Sequence, residues 1–234
     1  MGQISSRPCR RCGRTPRGER LRGGACLRCR TLELVDGFED GLAGHARRVT
    51  LLAIQIADEL GLTGELRRDV ELGGLLHDVG KLAIPAAILV KAGPLDAREA
   101  ELMRTHVTEG ERLAAGLEGL PASVPTVVRG SHERWDGGGY PDGLSGEEIP
   151  FAARVVSCAD AFDAMTSSRS YRPALGIELA LGIIRQESGR QFDPSIAEAT
   201  VAVVGRWELE LAAEPMASAF DETLRRLRRA EVRV

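Results

Sequence analysis

From about residue 41 onward the chain alternates between apolar stripes at helical spacing and short polar breaks. His45, Val49, Leu52, Ile56 and Leu60 recur every three or four positions, which puts them on one face of a helix over 45–60. Residues 66–77 repeat the pattern with Leu66, Val70, Gly73 and His77, and Gly80 is expected to end or loosen that helix. Asp96 followed by Glu99 reads as a capping box. The helix it opens is predicted to carry Met103, His106, Gly110, Leu113 and Leu117 on one stripe. Val124, Val128 and His132, spaced by four, predict a further helix over 122–132. A long polar turn, WDGGGYPDGLSGEE, follows. Ile149 to Met165 is apolar and reads as a buried helix carrying Asp160. Residues 175–187 and 194–204 also read as helices, the second capped by Asp193 with Pro194 at its first position. The chain closes on a basic amphipathic stretch, ETLRRLRRAEVRV. No alternating strand pattern or internal repeat stands out, so the expected fold is an all-α bundle.

Composition agrees. Of 234 residues, 43% are hydrophobic and 28% charged, the balance of a globular chain rather than a disordered one. Aromatics are only 4%, so Leu, Val, Ile and Ala must build the core. No run of about 18 apolar residues exists, which excludes a membrane span. The N-terminus, MGQISSRPCRRCGR, lacks the apolar middle of a secretory signal, and the expected location is the cytoplasm.

Charge divides the chain. Residues 1–30 hold nine Arg against one acid, Glu19, a balance of +8 in a protein whose total is −3. The remainder therefore carries −11, and a basic head on an acidic body suggests two modules with different partners. The cysteines divide the same way. Cys9, Cys12, Cys26 and Cys29 read C-x2-C, thirteen residues, C-x2-C, a spacing that suits a four-sulfur structural zinc site. Thirty residues cannot bury a useful core, so metal binding would supply the folding energy. Without it the segment would be an Arg-rich tail. Cys158 lies in the apolar run ARVVSCADAF and reads as a packed small hydrophobe. The expected organisation is a zinc-ribbon-like head over 1–35, a helical body over 36–205 and a basic amphipathic helix over 206–234.

All four histidines of the chain fall on apolar helical faces, as do Asp78 and Asp160. Buried carboxylates and imidazoles without partners cost several kcal/mol each, and one shared metal centre accounts for all six together. Neighbours on a helix point about 100° apart, so His77 and Asp78 reach one ion only near a helix end. Asp78 has two oxygens and can bridge two cations. The inventory suits His45, His77, Asp78 and Asp160 around one ion and Asp78, His106 and His132 around the other. Mixed imidazole and carboxylate ligands favour first-row ions, iron or manganese, over magnesium. Two such ions about 4 Å apart activate a water for attack at phosphorus.

Taken in order, HARRV, HDVGK, RTHVTEG, SHERWDGGGYPDGLSGEEIP and CADAFDAMTSSRSYR resemble the HD-GYP family, bacterial phosphodiesterases of the HD superfamily. The resemblance runs from about Gly41 to Val204. HDxGK alone points only to the wider superfamily, whereas HERWDGGGYPDGL is far more restrictive. The resemblance implies an HD-type helical bundle and hydrolysis of cyclic di-GMP to pGpG or onward to GMP. It implies that His45, His77, Asp78, His106, His132 and Asp160 are metal ligands. Lys81 matches the lysine of HDxGK, a cation that neutralises a phosphate oxygen or orients the attacking water beside Asp78. Arg169 and Arg172 match basic positions near the substrate phosphates. Gly139 and Tyr140 belong to the loop that names the family, where glycine lets backbone approach a ligand. Tyr140 either stacks on guanine or packs under the loop.

Two positions depart from the family pattern. Gly41 stands where many members have a Glu associated with a third metal, so two ions at most are expected. Ser131 stands where members usually have the first His of a His-His pair, so one half-site loses an imidazole. The enzyme reading therefore has alternatives: a non-catalytic signalling or adaptor module, or an HD phosphohydrolase for another nucleotide. The head offers a protein-docking surface, a purely structural role or, less favoured because it has no aromatic residue to stack bases, a nucleic-acid surface. The terminal basic helix is open to dimerisation, to contact with acidic surfaces, or to covering the bundle.

Overall fold

The computed structural model describes residues 40–167 and 173–213, together with Pro8. The four head cysteines, Arg169, Arg172 and the terminal basic stretch lie outside the described residues.

The described chain is helical, as expected. Its helices are α1 (Asp40–Glu59), α2 (Gly64–Leu76), α3 (Ala86–Leu89), α4 (Ala97–Arg104), α5 (His106–Ala115), α6 (Val124–Arg129), α7 (Phe151–Thr166), α8 (Ile177–Gln186) and α9 (Pro194–Ala213). Short 3₁₀ turns cover Val79–Ala83, Gly130–His132 and Gly146–Glu148. Among the described residues β-pairing is confined to two isolated bridges, Asp136 with Ser145 and Ser188 with Phe192. No described helix is long and apolar enough to cross a membrane.

Two apolar clusters hold these helices together. The larger joins α1, α2, α7, α8 and α9 through Val49, Ile56, Val70, Val156, Leu181, Ile184 and Ile196, among others. The smaller joins α2, α5 and α6 through Leu72, Leu76, Ala114, Val124 and Val128, with Val79 from the turn between them. Helix α2 contributes to both clusters. Fully burying one such aliphatic side chain contributes about 1.5–3 kcal/mol. Helix α7 runs through the middle, with Ala152, Ala153, Val155, Val156, Cys158, Ala159 and Phe162 all buried. Three alanines in that set let neighbouring backbones come close. Cys158 is packed as expected, and Thr200, whose own hydroxyl donates to Ile196, accepts from its thiol at 3.3 Å. Burial pushes that thiol up to about 12, which leaves it inert.

Local signals were honoured at the caps. Asp96 accepts from Glu99 N at 2.9 Å while the Glu99 carboxylate accepts from Asp96 N at 2.8 Å, a closed capping box. Asp193 accepts from Ser195 N at 2.8 Å at the start of α9. Arg154 donates to the same Asp193 at 2.6 Å, which ties α7 to α9.

Three expectations are corrected. The stripe from Met103 to Leu117 does not belong to one helix, because the chain bends at Thr105 between α4 and α5. Thr105 donates its hydroxyl back to Leu102 O at 2.7 Å and competes with the helix ladder there. Gly80 does not end α2, which stops at Leu76; it sits inside the 3₁₀ turn that follows. Its role is close approach, since a Cβ at Gly80 would overlap the His106 carbonyl oxygen. The last described helix also runs past 204 to Ala213.

Candidate metal centre

The close approach at Gly80 brings the turn after α2 against the first turn of α5. His77 is the residue that closes α2, and Asp78 precedes the 3₁₀ turn. The change of backbone direction between them turns both side chains toward one interior point. His45 comes from α1, Asp160 from α7, His106 from the start of α5 and His132 from the 3₁₀ turn after α6. All six expected side chains meet there.

Asp78 is the hub. Its Oδ2 lies 3.6 Å from His45 Nε2 and 3.5 Å from His77 Nε2, while its Oδ1 lies 3.6 Å from His106 Nε2. Asp160 Oδ1 stands 3.1 Å from His45 Nε2 and 3.9 Å from His77 Nε2. One ligand atom each from His45, His77 and Asp78 lies within 4.8 Å of the others, and the same holds for Asp78, His106 and His132. The two carboxylate oxygens thus face two separate sets of imidazoles.

Hydrogen bonds fix the imidazole tautomers. His77 Nδ1 lies 2.8 Å from Gly74 O, and His106 Nδ1 lies 2.7 Å from Met103 O. A carbonyl can only accept, so each ring carries its proton on Nδ1 and presents a bare Nε2 lone pair. His45 Nδ1 donates likewise to Asp163 Oδ2 at 2.8 Å. The Nε2 atoms of His77, His106 and His132 are buried with no hydrogen-bond partner. Burying such atoms unsatisfied is costly, and cations between them would satisfy all three. The donor set therefore fits divalent ions.

Charges reinforce the fit. Burial alone would lower the His45 pKa, but hydrogen bonds to Asp160 and Asp163 outweigh it and lift it to about 9. His132 goes the other way, as burial holds it down at about 4. Burial also lowers His106. Burial would raise Asp78, yet Lys81 and the surrounding imidazoles keep its carboxyl well below the usual range. Asp160 is lowered as well, the His45 hydrogen bond overcoming its burial. Lys81 donates to Asp78 Oδ2 at 2.6 Å, so it lies beside the hub.

Several residues that sequence reasoning did not single out complete the site. Asp163 sits one turn after Asp160 on α7 and holds His45; Arg48 grips it through Nε at 2.6 Å and Nη2 at 3.0 Å. The signal was available, because i, i+3 spacing puts both acids on one face of α7. Buried Glu133 accepts from Asp142 N at 2.7 Å and Leu144 N at 3.1 Å, which pins the Gly-rich loop. Gly139 folds onto this same anchor, where a Cβ would overlap Arg134 N and Glu133 Cα. Tyr140 packs within the site rather than projecting free: its ring stacks on His132 at 5.3 Å with planes 6° apart. Ser131 donates to Val128 O at 2.8 Å, so its hydroxyl is engaged with the preceding helix.

Comparison with known proteins yields a coherent set. A family model for an HD domain matches residues 33–196. The chain is 40% identical over 182 residues to the cyclic di-GMP phosphodiesterase response regulator RpfG of Xanthomonas campestris pv. campestris, covering 77% of this chain and 47% of that protein. It is 38% identical to a cyclic di-GMP phosphodiesterase of Thermotoga maritima, covering 66% and 42%. It is 37% identical to a 3'3'-cGAMP-specific phosphodiesterase of Vibrio cholerae, covering 66% and 30%. The chain thus spans less than half the length of each of these relatives. Among solved structures, a cyclic GMP-AMP-specific phosphodiesterase of V. cholerae superposes with TM-score 0.61 at 22% identity, over 83% of this chain and 52% of that one. That likeness shows the fold.

Proposed function

This chain belongs to the HD domain family, and from that premise we propose that its body is an HD-GYP phosphodiesterase that opens a cyclic dinucleotide, cyclic di-GMP first, to pGpG or GMP. One observation carries the reading: the two oxygens of Asp78 face two sets of imidazoles whose Nε2 lone pairs are otherwise unsatisfied. The names of the relatives, cyclic di-GMP and 3'3'-cGAMP phosphodiesterases, support the substrate class.

His45, His77, Asp78 and Asp160 would hold one first-row ion, iron or manganese, and Asp78, His106 and His132 the other. When bound, such ions supply Lewis acidity at the phosphoryl group and a nucleophile at neutral pH. The protein does the rest. Asp163 and the Gly74 and Met103 carbonyls keep His45, His77 and His106 in the ligating tautomer. Lys81, on the rim of Asp78, is placed to neutralise negative charge developing at a phosphate oxygen. Glu133 and Gly139 hold the Tyr140 loop against His132, which limits water access from that side. Arg169 and Arg172 are proposed phosphate contacts, and Cys9, Cys12, Cys26 and Cys29 a separate structural zinc site in a head over 1–35 that docks a protein partner. The body over 36–205 carries the chemistry, and the basic helix over 206–234 is an appendage.

Protein loaded anaerobically with iron or manganese is expected to linearise cyclic di-GMP, followed by separation of pGpG and GMP. Absence of turnover with both metals would overturn the reading. A second reading, a non-catalytic adaptor, is favoured by one feature: Ser131 directs its hydroxyl to Val128 O and brings no imidazole to the second half-site. It predicts no turnover in the native chain and recovery of turnover in Ser131→His.

A further inference from the structure

The bend at Thr105 separates two neighbouring side chains. His106 turns inward and is buried, while Arg104, the last residue of α4, stays exposed. The Arg104 guanidinium lies 5.3 Å from the centroid of the Tyr140 ring. Tyr140 itself stacks on His132, so Arg104 stands two ring contacts from the candidate metal centre.

Unlike Lys81, Arg48 and Arg129, Arg104 has no anionic partner among the described residues. Lys81 is paired with Asp78, and Arg48 with Asp163. Arg129 is gripped by Asp142 and Glu111. Among the described residues no carboxylate pairs with Arg104. A guanidinium supported on an aromatic plate keeps its edge of N–H donors free, and that edge matches a phosphate in two-point fashion. Tyr140 stacked against His132 restricts where that edge can go.

The substrate chemistry supplies a partner. A cyclic dinucleotide has two phosphodiesters, and only one of them can react at the centre at a time. The other keeps its negative charge at the mouth of the site. We propose that Arg104, held by Tyr140, is a substrate-binding residue for the non-reacting phosphate of the cyclic dinucleotide. This rests on the phosphodiesterase reading above. It also assigns Tyr140 a role as the plate for Arg104 rather than as a platform for guanine.

The test compares two substrates in manganese-loaded full-length protein. Cyclic di-GMP has two phosphodiesters; the p-nitrophenyl ester of 2′-deoxyguanosine 5′-phosphate has one, with the same base. Arg104→Ala is expected to raise KM for cyclic di-GMP about 10- to 100-fold, the range for losing a charge-assisted hydrogen bond. Kinetics on the single-phosphodiester ester should stay within about twofold of wild type by the same reasoning. Arg104→Lys, which keeps the charge without the fork, should fall between. Equilibrium binding of a phosphorothioate analogue of cyclic di-GMP should weaken in parallel. Equal losses on both substrates, or no change with cyclic di-GMP, would overturn the assignment. If wild type hydrolyses neither substrate, the activity reading falls on its own. The binding arm still decides for Arg104, and equal affinities in wild type and Arg104→Ala would then refute it.

Discussion

The two halves of the centre share Asp78 but rest on opposite electrostatic terms. Around Asp78 Oδ2 stand His45, His77 and Asp160, backed by Asp163 and Arg48. Around Oδ1 stand His106 and His132, backed by a backbone carbonyl and the Tyr140 ring. In the first half carboxylates overcome burial, and His45 keeps a proton up to about 9. In the second half burial wins, and His132 stays neutral down to about 4. The first half sets two carboxylates, Asp78 and Asp160, beside its two imidazoles. The second half has a single carboxylate, the shared Asp78, beside its two imidazoles. The first half should therefore take an ion more tightly than the second, and Ser131 widens the gap by withholding a donor.

The largest expected effect comes from removing what the halves share. Asp78→Ala should abolish binding in both, and turnover of cyclic di-GMP should drop about a thousandfold or more, since the Lewis-acid contribution amounts to several kcal/mol. Metal analysis of the purified variant checks the cause; a variant that keeps two ions would show that Asp78 is not the bridge.

Next come changes that should separate the halves. Asp163→Asn loosens His45 alone and should weaken the tighter ion about 10- to 100-fold, leaving the weaker one unaltered. Ser131→His should do the reverse, tightening only the weaker ion. Calorimetric titration with manganese resolves both, and a single common shift in either variant would erase the distinction.

The smallest effect is the stability of the metal-free protein against pH. His45 has a folded pKa above its ordinary value, so its contribution is complete below about 6.5 and is lost as pH rises toward about 9. His132 has a folded pKa below its ordinary value, so its contribution is complete above about 6.5 and is lost as pH falls toward about 4. Thermal melts should weaken on both sides. His45→Ala should remove the alkaline limb and His132→Ala the acid limb; limbs unchanged in these variants would show that other groups set them.

Much of this centre was legible in the linear pattern. Four histidines and two aspartates on apolar faces are hard to explain as packing residues, and His77-Asp78 can reach one ion together only near a helix end. Periodicity also located α1 and α2, because a one-sided apolar stripe needs only local geometry, while α7 was found from its continuous apolar run. The bend at Thr105 was not legible. The stripe from Met103 to Leu117 continues in register across it, and what breaks the helix is Thr105 with the turn around Gly80, a contact from elsewhere in the chain. Glu133 escaped notice for a related reason. Its partners are the backbone N–H groups of Asp142 and Leu144, and backbone donors leave no mark in the pattern of side chains. Arg104 looked like any exposed arginine until folding set it against Tyr140 without an ion pair to any described carboxylate.

The proposed gathering of two cations on one carboxylate is open to direct observation. Crystals grown with manganese and measured at its absorption edge should show two anomalous peaks flanking Asp78, the stronger beside His45, His77 and Asp160 and the weaker beside His106 and His132. An empty anomalous map among these six side chains would contradict the account.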